Sequence, residues 1–304
     1  MVTLQLKNVC ARYGRKTIVH DISTPCFQGG QVVALLGPNA AGKSTLFRRI
    51  LGLLKGSGDV LISHTTAERP VAYMPQDTGA KAVLSVYESV LLARMQGRSL
   101  TVQADDLAQV DKALAELNIS ALAERDIGDL SGGQRQLVSA AQALVQEPDI
   151  LMLDEPTSAL DLNRQISLLS VLRRLADERQ MLILVALHDI GHALRFTDHA
   201  MVLEQGRLIA CGATEDVITP RAAAQRLPRE RSHRALLEGA ASAYRRRGHL
   251  RRLPSSAANT TPASIKGSAK KKWYEAGISN NHQSANTGQS KARYSNGANR
   301  DASA

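Results

Sequence analysis

One short segment constrains the fold of this 304-residue chain more than any other feature. An apolar, strand-like run at 32–36 precedes it and a helix-compatible run at 46–51 follows it. The segment fits the phosphate-binding pattern GxxxxGK(S/T) and consists of Gly37, Pro38, Asn39, Ala40, Ala41, Gly42, Lys43, Ser44 and Thr45. In such a strand–loop–helix unit, backbone N–H groups and a helix N-terminus surround the phosphates. We therefore predict a P-loop in which Lys43 neutralises phosphate charge and the Ser44 hydroxyl ligates magnesium.

The apolar runs predict an α/β core. Residues 32–36, 150–153 and 181–187 are apolar on consecutive positions, as expected for strands covered on both faces of a mostly parallel sheet. Residues 1–30 instead show Leu4/Leu6 alternation and glycine-containing turns, which favour an antiparallel layer beside the main sheet.

A helical segment interrupts this pattern between about residues 77 and 146. Helical signals occur at 86–96, 104–117 and 134–145, the last with one apolar stripe. We predict a helical subdomain inserted into an α/β core that covers about 1–76 and 147–220.

An apolar run at 150–153 ends in two carboxylates, Asp154 and Glu155. Open α/β sheets bind ligands at the carboxyl ends of their strands. We predict that Asp154 serves a metal ion and that Glu155 polarises an attacking water. The alternative is that both acids only solvate a strand end.

A glycine pair opens the helix predicted after residue 131. Ser131, Gly132, Gly133 and Gln134 follow Leu130, and the bare N–H groups at such a helix start form an anion site. Placed between a P-loop and a carboxylate strand, this segment resembles the signature of ABC ATPases. The resemblance covers about residues 4–220.

This resemblance implies roles that spacing alone does not. Tyr13 corresponds to the adenine-stacking aromatic, Gln76 to the Q-loop glutamine that also serves the metal, Asp161 to the D-loop aspartate, and His188 to the histidine that contacts the γ-phosphate. The alternatives are a turn tyrosine, a solvated loop glutamine and a core histidine. His192 and His199 carry no motif and are expected to be structural or exposed.

The resemblance also implies a mechanism. ATP and Mg²⁺ are the expected ligands, with Lys43, Gln76, Glu155 and His188 as the catalytic set. Two copies would enclose two ATP molecules between the P-loop of one and Ser131–Gln134 of the other. Ala40 departs from the family, which more often has glycine there; if the position needs φ > 0, alanine costs about 1 kcal/mol.

Three stretches, at 84–90, 135–144 and 186–190, resemble the iron-siderophore, haem and cobalamin import branch. That branch implies separate integral-membrane permease subunits and a substrate-binding protein, with this chain peripheral on the cytoplasmic face of the membrane. The sequence agrees, because it has neither a secretory signal nor the roughly 18 to 20 consecutive apolar residues of a membrane span. A soluble ABC ATPase with a nucleic-acid or regulatory role is the alternative.

The net charge of +10 does not by itself indicate a nucleic-acid partner, because it is unevenly distributed. Residues 221–304 hold 17 Lys+Arg and 4 Asp+Glu, whereas residues 1–220 hold 21 and 24. The tail is rich in Ser, Asn, Ala and Gly, so we predict disorder there. A polybasic arm for anionic lipid or nucleic acid and an altered reading frame remain open alternatives.

The three cysteines, Cys10, Cys26 and Cys211, are far apart and lack CxxC spacing. We expect reduced, buried thiols.

Overall fold

The structure is a computed structural model that describes residues 1–67, 70–76, 83–96 and 101–218. The tail predicted for 221–304 lies outside these residues. The strands are β1 (Thr3–Lys7), β2 (Val9–Tyr13), β3 (Lys16–Ile22), β4 (Phe27–Gln28), β5 (Val32–Leu36), β6 (Asp59–Ser63), β7 (Val71–Met74), β8 (Ile150–Leu153), β9 (Leu182–Ala186), β10 (His199–Glu204) and β11 (Arg207–Ala213). The helices are α1 (Lys43–Ile50), α2 (Val86–Met95), α3 (Ala104–Glu116), α4 (Gly132–Leu144), α5 (Leu162–Arg179), α6 (Ile190–Phe196) and α7 (Thr214–Val217).

A six-stranded sheet forms the centre of the fold, in the order β11-β10-β5-β9-β8-β7. The pairs from β10 to β7 are parallel and β11 is antiparallel to β10. Every residue of β5, β8 and β9 is buried, as the consecutive apolar runs predict. The predicted α/β fold is confirmed.

An antiparallel layer lies beside this sheet, as predicted for the first 30 residues. β1 pairs antiparallel with β4 and β6, and β2 and β3 form a hairpin. Leu4 and Leu6 of β1 are buried in one cluster with Phe47 of α1 and with Leu35 of β5. The layer therefore packs against the helix that follows the predicted P-loop.

Helices α2, α3 and α4 contribute to a second core cluster, which also includes α5 residues. On α4, Ala140, Ala141 and Leu144 of the predicted stripe are buried and Leu137 is partly buried against them. The helix begins at Gly132 rather than Gln134 because Ser131 caps it, accepting from the Gln134 N–H. The division into core and helical subdomain remains a prediction.

The prediction of three buried thiols is wrong for Cys26, which is exposed in the loop before β4, while Cys10 and Cys211 are half-buried. His192 is buried, and the His199 ring lies 5.7 Å from that of Phe27. Within the described ranges, we find no helix with the length and hydropathy of a membrane span.

Candidate active site

The predicted P-loop connects β5 to α1, and its glycines are required by geometry. A Cβ on Gly37 would lie 2.3 Å from the Leu203 carbonyl oxygen, and Gly42 has φ 102° where it precedes α1. Ala40 has φ 62°, the left-handed region. This alanine therefore occupies a conformation that costs a residue with a Cβ about 1–2 kcal/mol.

The turn between β10 and β11 contacts and supports the P-loop. The Gly206 N–H donates to the Ala41 carbonyl oxygen at 2.9 Å. A Cβ on Gly206 would lie 1.8 Å from the Ile18 carbonyl oxygen, so the turn leaves no room for a side chain. Sequence reasoning did not single out Gly206, although its φ of 76° in a Gln-Gly turn agrees with a glycine requirement.

Lys43 is buried, with 4% of its surface exposed. Its Nζ donates to the carbonyl oxygens of Gly37 at 2.9 Å and Pro38 at 3.4 Å. The same nitrogen lies 3.4 Å from Oε1 of Glu155. The lysine therefore joins the P-loop to the predicted base.

The Glu155 carboxylate is the point on which the predicted catalytic residues converge. Its Oε1 lies 2.7 Å from Nε2 of His188, and its Oε2 accepts from Nε2 of Gln76 at 2.8 Å. Glu155 is 7% exposed and has φ 55°, rare for a non-glycine residue. A carboxylate that merely solvates a strand end does not fit this burial, and a core histidine does not fit His188, whose side chain is 45% exposed.

Asp154, beside it, has an unpaired and buried carboxylate oxygen. Its Oδ2 accepts from the Tyr73 hydroxyl at 3.1 Å, whereas Oδ1 has no hydrogen-bond partner in the described part of the chain. Burial and then the Asp154 charge raise the pKa of Tyr73, so the phenol remains a donor. A desolvated carboxylate oxygen with no donor fits a cation, and oxygen ligands suit Mg²⁺.

Tyr13 lies at the end of β2 with 44% of its surface exposed. Its hydroxyl accepts from Nη1 of Arg48 on α1 at 2.9 Å, and this bond is the largest cause of a raised Arg48 pKa. The exposed ring, tied to the P-loop helix through Arg48, is suited to stacking on a base.

The residues at the start of α4 bond within their own helix start and pack against residue 159. Ser131 and Gln134 form a capping box, and a Cβ on Gly133 would lie 2.8 Å from the Ala159 carbonyl oxygen. Among the described residues, no hydrogen bond joins Ser131–Gln134 to Gly37–Thr45. Asp161 caps α5 by accepting from the Arg164 N–H at 2.9 Å.

Comparison with known proteins agrees with this geometry. The family profile described as "ABC transporter" matches residues 19–158. An iron(3+)-hydroxamate import ATP-binding protein of Bacillus subtilis is 34% identical over 72% of this chain and 86% of its own length. The chain belongs to the ABC transporter family.

Two further relatives place the chain among ABC ATP-binding subunits. A cobalamin import ATP-binding protein of Halobacterium salinarum is 36% identical over 72% of this chain, and the match spans 57% of that relative's length. A dimeric bacterial ABC transporter cassette is 25% identical over 70% of this chain and 99% of that chain, with a TM-score of 0.62.

Within this ABC transporter chain, sequence reasoning missed Tyr73, Arg48 and Gln136. Gln136 is the most buried of the three, with 5% of its surface exposed, and its side chain donates to the Glu155 carbonyl oxygen. Glutamine is mostly exposed in folded proteins, so its residue type gave no signal of burial.

Proposed function

We propose that this chain is the ATP-binding and ATP-hydrolysing subunit of an ABC importer. The carrying observation is the convergence of Lys43, Gln76 and His188 on the buried carboxylate of Glu155. These four side chains come from α1 and from the ends of β7, β8 and β9, the edge at which open α/β sheets bind ligands.

The proposed roles follow from charge and position. Lys43 and the N–H groups of Gly37–Thr45 bind the phosphates of ATP, and Tyr13 stacks on adenine. Glu155 accepts a proton from the attacking water, and His188 orients that carboxylate and contacts the γ-phosphate.

The site also fits magnesium. Ser44, Asp154 and Gln76 would hold the ion, whose charge neutralises the phosphates when it is bound. Asp154 is pre-positioned by its bond from Tyr73, which leaves Oδ1 without a donor in the described part of the chain.

The functional unit is proposed to be a dimer on the cytoplasmic face of a membrane. Among the described residues no hydrogen bond joins Ser131–Gln134 or Asp161 to the P-loop, which agrees with two half-sites per chain, each completed by a second copy. The relatives are named as import ATP-binding proteins, which supports a separate permease and a cargo of the iron-siderophore, haem or cobalamin class. A substrate-binding protein is the further partner that we expect of such an importer.

The activity is tested by magnesium-dependent ATP hydrolysis, with oligomeric state followed by size exclusion in ATP. Glu155→Gln should lower kcat by about 10²- to 10⁴-fold, the usual contribution of a general base, and should accumulate as an ATP-bound dimer. Glu178→Gln, an exposed position on α5, is the matched control and should behave as wild type. A wild-type chain that neither hydrolyses ATP nor dimerises in ATP contradicts the proposal.

The cargo is tested separately in the host cell. Deletion of the gene should abolish uptake of one labelled class among ferric siderophore, haem and cobalamin, and a plasmid copy carrying Glu155→Gln should not restore it. Normal uptake of all three by the deletion strain would rule out the proposed cargo class.

A further inference from the structure

Gln136 is a buried amide on α4, one turn after the glycine pair. Only 5% of its surface is exposed. Its Nε2 donates to the Glu155 carbonyl oxygen at 2.7 Å and to Ser158 Oγ at 3.0 Å, while its Oε1 accepts from the Ala159 N–H at 3.0 Å. Both donors and one acceptor of the amide are therefore used, which offsets its desolvation.

The bond to Glu155 holds an unfavourable backbone conformation. Glu155 has φ 55°, in the region that a residue with a Cβ rarely occupies. Its carbonyl oxygen accepts from the Gln136 side chain and, at 3.3 Å, from the Ser158 N–H. Because the backbone conformation directs the side chain, this pair of bonds fixes where the carboxylate lies.

The first turn of α4 packs against the same segment. A Cβ added to Gly133 would lie 2.8 Å from the Ala159 carbonyl oxygen and 3.1 Å from Cδ2 of Leu160. Glycine is thus needed here for close approach, besides any role of its N–H in anion binding. The start of α4 therefore packs closely against residues 159 and 160.

We propose that Gln136 is a positioning residue that joins the two half-sites of one chain. It connects the start of α4, which meets the nucleotide of the partner copy, to the backbone of Glu155, which serves the chain's own nucleotide. Docking of a second copy on α4 is thereby transmitted to the base. This inference rests on the proposed ATPase function and adds a residue to it.

The first test replaces the amide by a side chain of similar size without hydrogen-bonding groups. Gln136→Met should lower kcat at least about tenfold, since a displacement near 1 Å can cost about 10²-fold. The KM for ATP and the ATP-dependent dimer should be unchanged, because no nucleotide-binding group is altered. Gln142→Met, about 9 Å further along the same helix, is the matched control and should keep the wild-type kcat.

A double-mutant cycle separates positioning from a general structural role. In a Glu155→Gln background, Gln136→Met should not lower the residual single-turnover rate further, because the group that it positions is already absent. If Gln136→Met lowered the single-turnover rate in that background by the same factor as in wild type, and also lowered Tm, the inference would be overturned.

Gln136→Glu provides a second variant that keeps the acceptor for Ala159. Its ionised carboxylate cannot donate to the Glu155 carbonyl oxygen, whereas the protonated form can. Its kcat relative to wild type should therefore rise as pH falls from 8 to 6, while the same ratio for Gln136→Met stays flat. If Gln136→Met does not fold, this pH profile decides alone, and a flat profile overturns the inference.

Failure of the proposed function has a different signature. A wild-type chain that neither hydrolyses ATP nor dimerises in ATP overturns the ATPase assignment and this inference with it. Wild-type hydrolysis with an unchanged kcat in Gln136→Met overturns the inference alone.

Discussion

Arg94 on α2 is expected to be the costliest charged side chain to remove from the helices α2–α4. Its side chain is 3% exposed and binds three carboxylates, at 3.3 Å to Asp106, 3.1 Å to Asp105 and 2.9 Å to Glu147. A fourth bond runs to the Val145 carbonyl oxygen at 3.1 Å. One guanidinium thus joins α2, the start of α3 and the end of α4.

The loss of unfolding free energy expected for Arg94→Met can be worked from the exposure of each carboxylate partner. The Asp105 and Glu147 side chains are 67% and 40% exposed, so their pairs contribute at most about 1 kcal/mol each. Asp106 is 11% exposed, and removing one partner of a buried pair costs about 3–5 kcal/mol. Asp106 keeps its bond from the Gln103 N–H, and methionine fills the volume, so we expect about 3 kcal/mol in total.

The assay is thermal and urea unfolding at pH 7, followed by circular dichroism. For a domain of this size the loss corresponds to a fall in Tm of about 6–12 °C. Arg164→Met is the matched control, because Arg164 pairs with Asp161 at 3.5 Å with both side chains about half exposed. The control should change stability by less than about 0.5 kcal/mol.

Salt distinguishes the buried pair from a surface effect. Most of the difference between wild type and Arg94→Met should persist in 1 M NaCl, since buried pairs are screened much less than exposed ones. A loss no larger than that of Arg164→Met, or one that 1 M NaCl removes, would refute this reasoning.

Two further predictions concern the P-loop and a half-buried thiol. Ala40→Gly should raise the free energy of unfolding by up to about 1 kcal/mol in urea titrations. The reason is that relief of the steric strain at the positive φ of residue 40 exceeds the added entropy of the unfolded chain. A loss of stability would contradict strain at Ala40. Burial raises the pKa of the Cys211 thiol to about 11, whereas an unfolded thiol ionises near about 8.5. The resulting contribution to the free energy of unfolding is complete below about pH 8.5 and disappears as pH rises through about 11. Between pH 8 and 10.5, wild type should therefore lose more stability than Cys211→Ala. Parallel pH slopes for the two proteins would show that the thiol does not contribute.

Residues whose type is fixed by local backbone geometry or by strand burial were predictable from the sequence. The run at 32–36 gave the bounds of β5, and the run at 181–187 enclosed β9, Leu182–Ala186. Lys43 and Glu155 could be placed at one edge of the sheet because each follows a buried strand of that sheet.

Polar residues inside helices were not predictable. Arg94 and Gln136 are of residue types that are mostly exposed, yet both are buried, each four residues from a buried apolar residue of its own helix. Their partners lie on other elements, at Asp106 and Glu155, so the bonds that compensate this burial depend on tertiary packing. Tyr73 was likewise not singled out, although its hydroxyl donates to Asp154.

The order of strands in the main sheet has a consequence for how this chain reaches its folded state. β5, which carries the phosphate-binding loop, is flanked by β9 and β10, and these strands begin only at Leu182 and His199. During synthesis β5 is among the early strands to appear, yet its neighbours in the sheet emerge about 150 residues later. An apolar strand with both edges unpaired for that interval is exposed to misassociation, and pairing over such a separation is slow. Nucleotide binding should therefore appear late in refolding, only after the strand that ends at Glu204 has joined the sheet.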